Sequence, residues 1–474
     1  MTNAVVVGSG PNGLAAALTL AHAGVNVRVI EADDVLGGGM RSSELTLPGL
    51  IHDECSAMHP LAVGSEFTQR FDLEGAGLRW RWAAAEYAHP LRDGQGGVAW
   101  RSIADTADAL GREAGGRWRR LFGPFADRFD RLARLIAKPQ MSLPRDPLLL
   151  AGFGGLAAIP AAAVARMLGQ ATAGALFLGA AAHAFRPLQS IGSTSIGLTL
   201  AAAAHAHGWP VAAGGSSSIR DAIVRRCIEH GVSFETGRLV RSIEDLGDST
   251  EIVMLDTTPS AAAAILGDRL PLGVRRAYSR FRHGPAAFKV DFAVEGGIPW
   301  SHEASRYAST VHVGGTVNEI IASENAVSRG KLPENLFVLV GQQYLADETR
   351  SRGDLHPVCT YAHVPHGFIG DLTATITQRI EEFAPGFRDR IRTTFTRTTA
   401  QLADHNANYI GGDITTGRND IWQLLARPRL SPDPYFTGVS GVYLCSAATP
   451  PGAGAHGLCG YNAARRALAD FERM

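Results

Sequence analysis

The chain has 474 residues, enough for two or three domains with full cores. Lysine plus arginine balances aspartate plus glutamate at 45 each, so no global field points to nucleic acid. Five scattered cysteines without a C-x-x-C pair exclude a disulfide scaffold and a dithiol centre, and predict a reducing, cytoplasmic setting.

Residues 4–7 are a Val-rich run suited to a buried parallel strand. Gly8, Gly10 and Gly13 follow in G-x-G-x-x-G spacing, and residues 11–23 read as an Ala/Leu-rich helix. Gly24 stops that helix, residues 25–30 read as a second strand, and Glu31 stands at its end. The three glycines allow a tight turn, close approach of a pyrophosphate and close helix–strand packing. The helix N-terminus offers free N–H groups to phosphates, and Glu31 offers a carboxylate to ribose hydroxyls. With strand, helix and acid all in place, the stretch predicts dinucleotide binding. A strand beginning by residue 4 leaves no room for a leader peptide before it.

Gly37, Gly38 and Gly39 precede Met40 and Arg41, a bare loop that reads as a second wall of the cofactor site, with Arg41 near the phosphates. Here the chain resembles the flavoproteins of the amine oxidase and phytoene desaturase group, in which such a loop helps hold FAD. His52, Cys55 and His59 have a spacing open to metal ligation, but no fourth ligand is near, and no metal site is predicted.

Helical periodicity runs from about residue 102 to 207, over 103–114 and 118–137 and then two nearly uncharged stretches, 147–165 and 167–185. The last two read as buried or cavity-lining helices, because Ala and Gly dominate, Pro160 interrupts the first and Arg166 separates them. A shallow contact with a membrane surface is the alternative. Gly214 and Gly215 open a helix to about Glu229, followed by strands at 232–235, 239–243 and 251–256. Residues 287–295, 336–344 and 357–364 read as strands of an antiparallel or mixed sheet, and 369–383 as a helix. A strand at 442–447 leads into a closing loop and helix. Gly452, Gly454 and Gly457 repeat the fingerprint spacing, yet only 17 residues follow, too few for a second strand and acid. That loop therefore reads as the lid of the first site, with a helix N-terminus aimed at the cofactor.

From GSGPNG at 8–13 and GGGMR at 37–41 to TPPGAGAHGLCGYNAAR at 449–465, the whole chain resembles the phytoene desaturase-like NAD(P)/FAD-dependent oxidoreductases. The resemblance implies an α/β fold with a Rossmann-like, p-hydroxybenzoate-hydroxylase-like FAD-binding domain split over 1–75, 208–262 and 435–474. An inserted α+β substrate domain of mixed sheet and helices would fill 76–207 and 263–434. It implies FAD held by Gly8, Ser9, Gly10, Pro11, Asn12, Gly13, Glu31, Ala32, Gly38, Gly39, Met40, Arg41, Val240, Ala447, Gly454, Ala455, His456 and Gly457. Related flavoproteins often carry a G-D pair after the last strand; Ser446 and Ala447 stand there instead.

The expected activity is desaturation or isomerisation of an apolar, polyene or isoprenoid-like molecule, with oxygen or a quinone reoxidising the flavin. An amine oxidase and a non-catalytic lipid-escort protein are the alternatives. Lys289 is the one cation on an otherwise apolar strand, open to a role beside the flavin or to a buried salt bridge. His456 is open to proton transfer or to a loop hydrogen bond. His312, His363, Tyr409 and Asp413 are further cavity candidates.

Overall fold

The structure, a computed structural model, describes residues 2–139 and 146–472. Residues 1, 140–145, 473 and 474 of the expected domain segments lie outside that set. A five-stranded, all-parallel sheet runs in the order Val442–Leu444, Ile252–Leu255, Asn3–Val7, Asn26–Ile30, Ser233–Glu235. Its central strand is the opening one. The chain leaves it to one side and returns on the other, so the crevice at its carboxyl end is a topological switch point, where open α/β sheets place ligands.

A seven-stranded mixed sheet stands opposite. Its order is Ile391–Arg397, Ala286–Glu295, Leu355–Val364, Val338–Gly341, Ala308–Val313, Ala85–Pro90, Gly96–Ala99. All neighbours are antiparallel except Ala308–Val313 with Ala85–Pro90. Ala85–Pro90 and Ala308–Val313 are buried on both faces and carry no alternation in sequence, and Ile391–Arg397, IRTTFTR, lies on an edge.

The helical region is real but more broken than its periodicity predicts. Residues 103–114 divide at Gly111, whose φ of +79° ends the first segment. The helix expected over 118–137 splits into Arg112–Ala126 and Phe129–Ile136 where Arg128 leaves helical conformation. Pro160 separates Pro147–Ala158 from Ala161–Leu168, a bend of 93°, and Gly169 precedes Ala171–Ala182. Among the described residues no single helix is long and apolar enough to cross a membrane. Residues 239–243 are not a strand. Ser242 and Asp245 form a capping box there that starts the 3₁₀ turn Ile243–Leu246.

Backbone contacts fix how the ends of the chain meet. A Cβ on Gly460 would lie 1.7 Å from the Asn12 carbonyl oxygen, so the closing helix Leu458–Phe471 crosses the first helix, Pro11–His22, backbone on backbone. Fully buried Arg350 ties the outer layers together. Its guanidinium pairs with Asp53 at 2.5 Å and donates to the Ala212 carbonyl at 2.7 Å. Asp53 also accepts from Ser216 N–H, and Asp347 accepts from Gly214 N–H. Burial would raise the Asp53 carboxyl, but the Arg350 charge holds it below the ordinary range.

Gly460→Ala is expected to cost about 1–3 kcal/mol, by analogy with overpacked cores. Gly273→Ala, in a helix with open space around it, is expected to leave Tm unchanged or raise it. Equal melting temperatures for the two variants would contradict the crossing.

Candidate active site

The fingerprint loop is built as its glycines require. Gly8 has φ +96°, and a Cβ on Gly13 would lie 2.1 Å from the Gly8 carbonyl oxygen. The first helix starts with Pro11 behind Gly10, and no side chain caps it. Its N-terminus faces a cavity of about 300 Å³ lined by Gly10, Pro11 and Asn12. Asn12 is 3% exposed and its Oδ1 has no hydrogen-bond partner. Glu31 takes Ser9 N–H at 2.7 Å and Ser9 Oγ–H at 2.6 Å, which sets its carboxylate beside the loop. Ala32 follows on the exposed side.

The second glycine loop touches the first. A Cβ on Gly38 would lie 3.0 Å from Gly10 Cα, and one on Gly39 would lie 2.5 Å from Tyr409 Oη. Met40 is buried in the core. Arg41 departs from expectation: it does not line the cavity but braces the loop. It pairs with Asp33 at 2.7 Å and donates to the carbonyls of Gly38 and His405, each at 3.0 Å. Val240 is buried against Val5, Val7 and Ile30, while nearby Arg238 N–H bonds the Glu31 carbonyl.

From the end of the chain, Ser446, Ala447, Gly454 and Ala455 reach the same cavity. Gly457, φ +69°, opens the closing helix against Phe67 and Ala15. His456 is placed differently from expectation. Its Nδ1 accepts from Leu458 N–H at 3.1 Å, and the ring lines a neighbouring, larger chamber. Burial lowers its pKa to about 4, so the ring is a neutral helix cap.

The seven-stranded sheet supplies the opposite wall through Lys289, Thr310, Leu339, Cys359 and Tyr361. Lys289 is 5% exposed, and its ammonium pairs with Asp291, two residues along the same strand face. Burial would raise the Asp291 carboxyl, yet Lys289 and then His52 hold it low. Lys289 therefore makes the buried salt bridge, on a strand face that lines the cavity. Phe185, Trp209, Tyr361 and Tyr409 make much of the wall aromatic. Tyr409 Oη donates to Cys55 Sγ at 3.1 Å, and Phe185, held at φ +50°, stacks on His363 with ring centroids 3.9 Å apart. His52, Cys55 and His59 turn to separate partners: Asp291 and Thr46, Tyr409, and Ser216.

His312 and His363 stand behind this wall, fully buried. His312 meets His183 at 3.0 Å between Nε2 atoms, and His363 meets Glu324 at 2.7 Å. Burial pushes His183 to about 3 and His312 well below its ordinary value, so that pair is neutral. Asp413 is not a cavity group either. It accepts from the N–H groups of Gly284, Thr415 and Gly417 and organises the loop that carries Thr415 and Thr416 into the cavity.

Sequence reasoning missed Asp256. It ends the strand Ile252–Leu255 as Glu31 ends its own, and that parallel was the available signal. Its Oδ2 accepts from Gly13 N–H at 2.9 Å, and burial first, with Glu31 adding to it, raises its pKa to about 7. The loop around Asn406 and Asn408 was also missed as a wall. Asn408 donates to the Asp256 carbonyl at 3.0 Å. The side-chain-free cradle, the uncapped helix end, the orphaned Asn12 oxygen and the Glu31 carboxylate together fit a dinucleotide.

These features define an α/β protein with a nucleotide-binding Rossmann-like domain. Residues 6–69 match the NAD(P)-binding Rossmann-like domain family. The chain is 22% identical to pyridine nucleotide-disulfide oxidoreductase domain-containing protein 2 of Rattus norvegicus, over all of this chain and 94% of that one. The Mus musculus counterpart matches locally, at 34% over 96 residues, 20% of this chain and 16% of that protein. Among solved structures, an oxidoreductase from Methanosarcina mazei superposes with TM-score 0.65 at 13% identity, covering 99% of this chain and 100% of that one. Putrescine oxidase bound to putrescine gives 0.62 at 16% identity, covering 100% and 99%. The fold is thus shared with putrescine oxidase.

Lys289→Met alone is expected to destabilise by about 3–5 kcal/mol, because it leaves Asp291 buried with only His52. The pair Lys289→Met with Asp291→Asn is expected to recover most of that loss in a denaturant titration. A double variant as unstable as the single one would contradict a charge-pairing role.

Proposed function

We propose that the protein is an FAD-dependent oxidoreductase that desaturates or isomerises an apolar, polyene or isoprenoid-like molecule. The carrying observation is that three regions distant in sequence converge on one cavity: Gly10–Asn12, Gly39 and the closing loop through Ser446–Ala448 and Ala453–Ala455. When bound there, a flavin supplies hydride acceptance. The chain's own part is placement and dryness. The glycine loops and Glu31 would hold the dinucleotide, while Phe185, Trp209, Tyr361 and Leu339 exclude water from the opposite face. Of the two imidazoles brought together behind and on this wall, His183 lines the cavity, and burial keeps it neutral, so it contributes an uncharged wall rather than a proton acceptor. Oxygen or a quinone would be the electron acceptor.

The aromatic wall also supports a second reading, an amine oxidase, in line with the putrescine oxidase likeness. Anaerobic mixing separates the two. Bleaching of the visible flavin band by a polyene, and none by primary amines, is the expected result. Bleaching by amines alone would overturn the desaturase reading.

A further inference from the structure

A second chamber of about 680 Å³ adjoins the first and shares His183, Thr415 and Ala453 with it. Its volume falls in the range of roughly 300–1,000 Å³ typical of small-molecule sites. Phe129, Leu150, Phe153, Ile196, Leu200 and Leu424 make its walls largely apolar.

Of the charged residues in its lining, Glu66, Asp130, Arg134, Lys138 and Arg427, only Arg427 is buried. Arg427 is 3% exposed, and its Nε and Nη2 have no partner among the described residues. Nη1 reaches only Asn419 Oδ1, at 3.4 Å. The carboxylates that act on it, Asp413 and Asp420, are engaged elsewhere. Asp413 accepts from three backbone N–H groups and Thr415 Oγ–H. Asp420 caps the helix Ile421–Leu425 and pairs with Arg418. A second buried guanidinium, Arg186, lies against the chamber residue Gly192, with Nε and Nη1 also partnerless. A guanidinium cannot shed its proton, so burial without a counter-charge is costly and a ligand anion would relieve it. The acids on the chamber lining are already bonded, Asp130 to His207 at 2.8 Å and Glu66 to Tyr461 Oη at 3.1 Å.

We infer that this chamber binds an amphipathic acid: a hydrocarbon or isoprenoid chain ending in an anionic head group that Arg427 grips through two oxygens. Arg427 lies against Gly417, Gly452 and Asn419, next to the shared Thr415 and Ala453, so the head group would sit at the junction of the two cavities and the tail would fill the apolar chamber along Phe129, Phe153 and Leu200.

Equilibrium binding of palmitate, hexadecyl phosphate and hexadecanol to the full chain tests it, with Arg427→Gln and Arg427→Lys alongside. At least one anion is expected to bind ~10-fold or more tightly than the alcohol, and the tighter one names the head group as carboxylate or phosphate. Arg427→Gln is expected to bring the ratio to about one with alcohol affinity unchanged, and Arg427→Lys to leave an intermediate ratio. Equal binding of anions and alcohol by the wild type, or full preference retained in either variant, would overturn the proposal. If Arg427→Gln does not fold, the wild-type and Arg427→Lys ratios decide. Visible absorbance of the same samples keeps the two readings apart. Colourless protein that prefers the anion overturns the flavin reading alone, and yellow protein without the preference overturns this site alone.

Discussion

Everything at the site depends on backbone meeting backbone around residues 8–13. A Cβ on Gly13 would strike the Gly8 oxygen, one on Gly38 would press on Gly10, and one on Gly460 would strike the Asn12 oxygen. Three segments of the chain can approach only because no side chain stands between them. The result places one uncapped helix N-terminus, at Pro11, on the cavity, while the closing helix, expected to aim its N-terminus at the cofactor, has its Leu458 N–H taken by His456 and faces the second chamber. The Pro11 end favours negative charge, so the polar half of the site is made from main chain rather than from basic side chains.

Buried charge then locks the surrounding loops to that core. Arg350 joins the segments carrying Asp53, Ala212 and Asp347. Arg41 runs between Asp33 and the His405 carbonyl, while Glu54 meets both Arg397 and His405. Each of these guanidinium groups has a carboxylate beside it inside the protein, unlike Arg427. The contrast separates charges that hold the fold from a charge left over for a ligand.

The backbone-built parts were legible in the sequence. Gly8, Gly10 and Gly13, the triple glycine at 37–39 and the closing helix from Leu458 each leave a local pattern, because the geometry tolerates few other residues. The pairing of Lys289 with Asp291 was legible too, since alternate residues of a strand share a face. Other features depend on what packs across from them. Arg41 turns inward because Asp33 and the His405 carbonyl receive it, 364 residues apart in the second case. His456 faces the second chamber because its own helix needs a cap. The buried strands Ala85–Pro90 and Ala308–Val313 carry no alternation to read, and Asp413 looks catalytic until the loop it ties is seen.

We propose that this backbone cradle holds FAD. Acid release of the cofactor from purified protein, followed by mass identification and quantification against protein, tests it most directly. About one FAD per chain is expected, or the same ratio after reconstitution. A chain that carries only a nicotinamide dinucleotide, or takes up no FAD at all, would contradict it.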